Sequence, residues 1–175
     1  GCRKCPGVLQ RQIIPVSGFS KLSVSVQSRV NYSIGPDYRV EVMAQQNIID
    51  ILRFEKSGEE LTIKLKPGVW IKKNEEIIVN ITAPDLKAVN LSGSGNVFVS
   101  GPLTGSHLDL KVSGSGNLEV QQATITDQLS GNVSGSGSIT VFTGSTLNEN
   151  LKVSGSGNIH LTGVQASKAI TDISG

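Results

Sequence analysis

The chain has 175 residues and a mass of 18.4 kDa, with 37% hydrophobic, 17% charged and 4% aromatic residues and a formal net charge of +2. That length allows one domain or two small ones and enough chain to bury a core. The apolar share is too high for a disordered chain, the low charge argues against a coiled coil, the basic excess is no nucleic-acid footprint, and no run of about 18 apolar residues offers a membrane-spanning helix.

Cys2 and Cys5, in the run Cys2-Arg3-Lys4-Cys5, are the only cysteines. A cytosolic redox pair would sit at the end of a strand in an α/β unit, which is absent, and a zinc ribbon would take four cysteines. Three readings stay open: Cys2 as a lipid anchor exposed after signal cleavage, a small-loop disulfide between Cys2 and Cys5, or two free thiols. Gly1 ahead of Cys2 reads as a cleavage remnant, and the lack of a signal peptide reads as a mature form. Residues 1–12 are expected to be a flexible segment.

Residues 13–87 read as a β-rich part with one short helix. Residues 21–27 alternate through Leu22, Val24 and Val26, and residues 38–43 through Tyr38, Val40 and Val42 or through the opposite face, the period of a half-buried strand. Between 47 and 54 the apolar Ile48, Ile49, Ile51 and Leu52 fit helical spacing, with Asn47 as an N-cap, so the short helix is expected there. Strands over 61–66 and 77–81 follow, joined by a loop containing Pro67-Gly68 and the charged stretch 72–76. Trp70 beside Lys72 and Lys73 is a candidate sugar or anion contact; the preferred reading is a solvated hairpin with the indole folded onto the sheet.

Composition shifts near Ala88. Residues 1–90 hold 13 Lys/Arg and 9 Asp/Glu, residues 91–175 hold 3 and 5, and Gly plus Ser rises from 13 of 90 to 29 of 85. A boundary is therefore drawn there, and from it the sequence repeats. Ser92-Gly93-Ser94-Gly95-Asn96 returns as Ser113-Gly114-Ser115-Gly116-Asn117, as Ser134-Gly135-Ser136-Gly137-Ser138 and as Ser154-Gly155-Ser156-Gly157-Asn158, and Ser174-Gly175 starts a fifth copy; the spacings are 21, 21, 20 and 20. Such a period is too short for two helices with their turns. Each copy is flanked by apolar residues at strand period: Val89, Leu91, Val97 and Val99, then Leu110, Val112, Leu118 and Val120, then Val133, Ile139 and Val141, then Leu151, Val153, Ile159 and Leu161. A turn of this length holds about three short strands at ~3.3 Å per residue, and coiled turns stack at the ~4.8 Å strand spacing. The expected fold is all-β, a right-handed parallel β-helix of 20–21-residue turns over residues 88–175, preceded by the β-rich part with its one short helix. The third segment of each turn is less regular: aligning Leu103 with Ile125 and Leu147 requires loops to bulge there.

The same parity puts Gly93 and Gly95 inward and Ser92, Ser94 and Asn96 outward. Three outward ladders follow: Ser92, Ser113, Ser134, Ser154 and Ser174; Ser94, Ser115, Ser136 and Ser156; and Asn96, Asn117, Ser138 and Asn158. A tight corner at Gly95 would reset the parity and turn the asparagines inward. The preferred role of the ladders is structural, since short polar residues satisfy one another at tight corners. Their functional reading is a flat array of hydroxyls and amides suited to a repetitive ligand such as a glycan. The first four residues of each ladder, Ser138 excepted, and Trp70 are the candidate binding residues.

No catalytic residue, metal or cofactor is expected. His107 and His160 are separated and without paired carboxylates. Asp109, Glu119, Asp127, Glu149 and Asp172 are thinly spread, and equivalent outward positions in neighbouring turns read Phe98, Glu119, Thr140 and His160. A polysaccharide hydrolase or lyase needs clustered carboxylates or a metal with a basic residue. The repeats lack the Asp of a calcium-binding β-roll and the Lys-Ser/Thr of a phosphate loop.

Phe19-Ser20-Lys21-Leu22, the strand over 61–65, Ile81-Thr82-Ala83-Pro84-Asp85-Leu86 and the Ser-Gly-Ser-Gly-Asn repeats together resemble the head GIN domain family of bacterial auto-transporter adhesins, over residues 13–175. Copy three departs from the pattern with Ser138 in place of Asn. The resemblance implies an all-β fold with a β-helical part, secreted or lipid-anchored proteins of Bacteroidetes, and a cell-envelope location at the outer-membrane surface or in the periplasm. No catalytic residues carry over. The expected function is a non-enzymatic binding module for a glycan or protein partner. The alternatives are a structural envelope scaffold or homo-oligomer subunit and, behind these, a carbohydrate-active β-helix enzyme. No nucleic-acid partner is expected, and membrane contact only through a lipid anchor at Cys2.

Overall fold

The computed structural model describes residues 7–72 and 74–175, so Cys2, Cys5 and Lys73 lie outside the described residues. In chain order its elements are β1 (Leu9–Ile14), β2 (Lys21–Val24), β3 (Arg29–Ile34), β4 (Arg39–Gln45), α1 (Gln46–Ile49), β5 (Leu52–Ser57), β6 (Glu60–Leu65), β7 (Ile78–Ala83), β8 (Ala88–Gly93), β9 (Asn96–Gly114), β10 (Asn117–Gly135), β11 (Ser138–Ser154), β12 (Asn158–His160) and β13 (Val164–Ser174).

The repeat region coils as its period demands. β9, β10 and β11 pair in parallel, with Asn117 opposite Asn96 on one side and Ser138 on the other. Each long strand bends around the axis and serves three walls. The front wall takes residues 96–100, 117–120, 138–141 and β12; the side wall 102–105, 122–125, 143–146 and 164–166; the back wall β8, 109–114, 130–135, 149–154 and 170–174. Val89, Leu91, Val97, Val99, Leu110, Val112, Leu118, Val120, Val133, Ile139 and Val141 point inward and are at most 1% exposed. The side wall is continuous strand, not a bulging loop. Leu103 faces Ala123 rather than Ile125, and Ile125 faces Thr146 rather than Leu147, which is exposed. One-residue register shifts between Val120 and Gln122 and between Ile125 and Gln128 absorb the irregular period at the corners.

Each repeat motif is the corner between back and front walls, and there backbone lies directly on backbone. The N–H groups of Ser115 and Gly116 both donate to the Gly93 carbonyl, at 3.1 and 3.0 Å, and Ser136 and Gly137 do the same to Gly114, at 3.1 and 2.8 Å. Gly114 has φ +138°, and a Cβ on it would lie 2.6 Å from the Gly93 oxygen and 2.9 Å from its nitrogen. A Cβ on Gly116 would overlap the Gly95 oxygen. Glycine is therefore a steric requirement of the stacked corner.

The N-terminal half builds further turns of the same stack. In the back wall β2 lies between β6 and β8, with Lys21 opposite both Glu60 and Ala88; in the front wall β3 lies between β7 and β9, with Arg29 opposite both Ile78 and Asn96. The β2–β3 turn is thus held between two turns that follow it in sequence. Residues 84–87 carry the chain from β7 to β8 across it. Buried Tyr32 donates its hydroxyl to the Asp85 carbonyl at 2.6 Å, the Leu86 N–H donates to Asp85 Oδ1 at 2.8 Å, and the Lys87 N–H donates to the Ser20 carbonyl at 2.7 Å. Lys87 Nζ sits 3.2 Å from Glu59 Oε1, and that hydrogen bond above all holds the Glu59 carboxyl below the usual range. The Thr-Ala-Pro-Asp-Leu stretch of the sequence is this crossover, and the composition shift at residue 88 falls within a continuous stack.

The end beyond the β6–β7 turn is capped. β5 runs antiparallel to β6, β4 antiparallel to β7, and β1 antiparallel to β4. α1 joins β4 to β5 across that end and buries Ile48 and Ile49. The helix expected over 47–54 is shorter: it spans Gln46–Ile49, follows Gln45 with no side-chain cap, and yields to β5 because Leu52 is drawn into pairing with β6. β1 starts at Leu9, inside the segment expected to be flexible. It went unseen because its side chains are almost all exposed, so it has no apolar alternation. At the other end Leu151, Ile159 and Leu161 are half-buried, and Ile173, next in the inward file after Val153, is 73% exposed.

Two outcomes follow from the corner and the crossover. Gly114→Ala adds strain and overlap and should cost about 2–4 kcal/mol by denaturant unfolding. Gly68→Ala, also at positive φ but with open space around it, should cost only about 1–2 kcal/mol; equal costs would refute the stacked corner. Tyr32 has its hydroxyl pKa raised by burial first, then by Asp85 and Tyr38. The folded chain therefore keeps that proton where the unfolded chain loses it. This stabilisation is complete below about pH 10 and is lost as pH rises above it. Tyr32→Phe should cost about 1 kcal/mol at neutral pH and flatten the decline in stability above pH 10, read from urea titrations across pH.

Candidate functional site

Outward positions on the front wall fall into two columns. One runs Arg29, Asn96, Asn117, Ser138, Asn158; the other, two residues further along each strand, runs Asn80, Asn31, Phe98, Glu119, Thr140, His160. Strand pairing holds column neighbours ~4.8 Å apart, so short side chains reach one another. Asn31 Nδ2 donates to Asn80 Oδ1 at 2.9 Å. The Asn117 backbone N–H and Nδ2 both donate to Asn96 Oδ1, at 3.2 and 3.3 Å, and Ser138 Oγ donates to Asn117 Oδ1 at 2.7 Å. Asn96, Asn117 and Asn158 are exposed, so the corner does not turn the amides inward.

Arg29, Asn31, Asn96, Phe98, Asn117 and Glu119 line a recess of about 580 Å³, a volume usual for small-molecule sites. Arg29 and Glu119 bear opposite charges, yet among the described residues neither forms an ion pair. Phe98 is 36% exposed beside them. A smaller recess of about 260 Å³ adjoins, sharing Arg29 and Asn96 and walled by Ser94 and by Glu75 and Glu76 of the β6–β7 connection.

The predicted ladders divide around the corner instead of making one flat array. Ser92, Ser113, Ser134 and Ser154 end the back wall half-buried, with Ser92 Oγ 3.4 Å from the Val24 carbonyl. Ser94, Ser115, Ser136 and Ser156 stand exposed at the corner. Of all these residues, only Asn96 and Asn117 meet in the larger recess, and Ser94 lines the smaller one. Trp70 is 90% exposed and not folded onto the sheet; the alternation that seats Ile71 against the core turns the indole out.

The sequence reading missed Arg29 and Asn31, although Arg29-Val30-Asn31-Tyr32 does alternate. It also left His107 unpaired. The stack brings His107 Nε2 to 3.0 Å from Asp127 Oδ2, with Nδ1 3.1 Å from Ser106 Oγ, beside a recess of about 420 Å³ that Asp85 and Lys87 also line. These are the residue types of a nucleophilic triad. The imidazole and carboxylate are 65% and 50% exposed, however, so water screens the pair. Among the described residues no three His, Cys, Asp or Glu side chains gather as a metal site.

A family model described as "Putative auto-transporter adhesin, head GIN domain" matches residues 18–175. Among solved structures, a putative adhesin from Parabacteroides distasonis superposes with a TM-score of 0.73 at 26% identity, over 95% of this chain and 79% of that one. A second P. distasonis protein, named a putative lipid binding protein, gives 0.72 at 25% identity over the same shares. A putative adhesin from Parabacteroides merdae gives 0.72 at 22% identity over 95% and 78%, a likeness of fold. No curated protein matches.

The asparagine ladder is solvated throughout, so it should contribute little to stability. Asn117→Ala is expected to cost about 0.5–1 kcal/mol by thermal or urea unfolding; a loss well above about 2 kcal/mol would make the ladder a structural element.

Proposed function

The chain belongs to the family described as "Putative auto-transporter adhesin, head GIN domain", and on that premise we propose that it is a non-enzymatic binding module of the bacterial cell envelope that meets a surface partner through its front wall. One observation carries this reading. The front-wall recess gathers a guanidinium, a carboxylate, an aromatic ring and three amides, and its two charged groups are not spent on holding the fold. Groups fixed on paired strands are pre-organised, so little ordering is needed on contact. Glu119 is the one carboxylate lining that recess, whereas glycoside hydrolysis sets two across the scissile bond. A second reading, an envelope scaffold or oligomer subunit, is favoured by the exposed Ile170 and Ile173 on β13.

The test is retention of fluorescently labelled protein on intact bacteria and on epithelial cells, together with assays for reducing ends released from common polysaccharides. Saturable retention is expected, at least fivefold weaker for the double variant Arg29→Ala, Glu119→Ala at unchanged melting temperature, with no release of reducing ends. Absence of saturable retention on every surface, or turnover abolished by His107→Ala, would refute the proposal.

A further inference from the structure

We infer that the front-wall recess is a subsite for a neutral saccharide of one or two rings; the inference rests on the binding reading above and specifies its ligand. A sugar ring presents an apolar face of C–H groups and a rim of hydroxyls that each donate and accept. A site for it must offer an apolar surface with donors and acceptors at fixed spacing around it. Phe98 supplies the surface. The ladder orients the amides while leaving them spare capacity. Asn96 takes its bonds at Oδ1 and keeps both Nδ2 hydrogens, Asn117 keeps one, and Asn31 keeps its Oδ1. Arg29 brings only donors and Glu119 only acceptors, one on each column. Spare donors thus run down one column, and acceptors flank Phe98 on the other, across a patch two residues wide and three strands tall.

Charge decides between neutral and acidic sugars. Counting the adjoining recess, Arg29 stands with Glu119, Glu75 and Glu76. Among the described residues, one positive group stands against three negative ones, which disfavours a uronate, sialate, sulfate or phosphate. Topology argues against an extended peptide. Around the recess the backbone donors and acceptors of β3, β9 and β10 are consumed between turns, so strand addition finds no edge there. The columns also continue past the recess through Ser138, Thr140, Asn158 and His160, a run of polar groups along which further rings of an oligosaccharide would lie.

The experiment is an array carrying neutral glucose-, galactose-, mannose- and N-acetylglucosamine-based oligosaccharides beside uronic-acid, sialylated and sulfated ones. Calorimetric titration of the best neutral oligosaccharide follows, with wild type, Phe98→Ala, Glu119→Gln and, as a control on the back wall, Lys111→Ala. Neutral glycans are expected to dominate. Affinity should fall at least tenfold in Phe98→Ala and in Glu119→Gln, with melting temperatures unchanged, and should hold in Lys111→Ala. Preference for acidic glycans, or neutral binding that Phe98→Ala leaves intact, would overturn the inference. Cell-surface retention without any glycan binding would also overturn it, making the partner a protein and leaving the binding reading standing. Loss of both would remove the binding reading as well.

Discussion

Parallel pairing sets the distance between successive turns at ~4.8 Å, and at the corner between back and front walls that distance leaves no space for a side chain. Gly114 lies on Gly93, Gly116 on Gly95, and the next two turns repeat the contact. The rest of the repeat is arranged around it. With glycine fixed at two positions, the residues between and beside them must be small, polar and outward, and the strands leaving the corner start in register. Val97 and Leu118 then fall inside, Asn96 and Asn117 outside. The amide ladder and the recess inherit their spacing from this backbone contact.

The candidate site is made by both halves of the chain. Arg29 and Asn31 come from β3, while Asn96, Phe98, Asn117 and Glu119 come from the repeats. They share a face because β3 is stacked against β9 as though it were another repeat, with Val30 beside Val97 inside and Arg29 beside Asn96 outside. The crossover clamped by Tyr32 makes this arrangement stable, because it lets the chain reach the far side of the β2–β3 turn and close the stack over it.

Features that recur every 20–21 residues were legible in the sequence. The inward file from Val89 to Val141, the outward amides and the column Phe98, Glu119, Thr140, His160 all follow from parity and period. Features that depend on which strand sits beside which were not. β1 pairs through its backbone and leaves its side chains in water, so nothing in its composition marks it. Ile48 through Leu52 imitates a longer helix because a single helical turn is followed at once by an inward strand residue. Arg29 and Asn31 join the site only through an interleaving that no local pattern encodes. Asp127 reaches His107 because a corner shift offsets the two turns by about a residue. The repeat period supplied the architecture and the family resemblance the expected compartment, but neither marked the place on the surface where the parts of the site converge.

The interleaved turn also constrains how the molecule can come into being. A simple solenoid zips from one end, each new turn finding its template already laid down. Here β2 and β3 precede every strand that flanks them: β6, β7, β8 and the first part of β9 are complete only at residue 100. Until those residues are present the earliest turn has one or both edges bare, and its contacts are distant in sequence, which slows their formation. A chain that emerges N-terminus first therefore has no complete partner set for β2 and β3 until residue 100 has appeared.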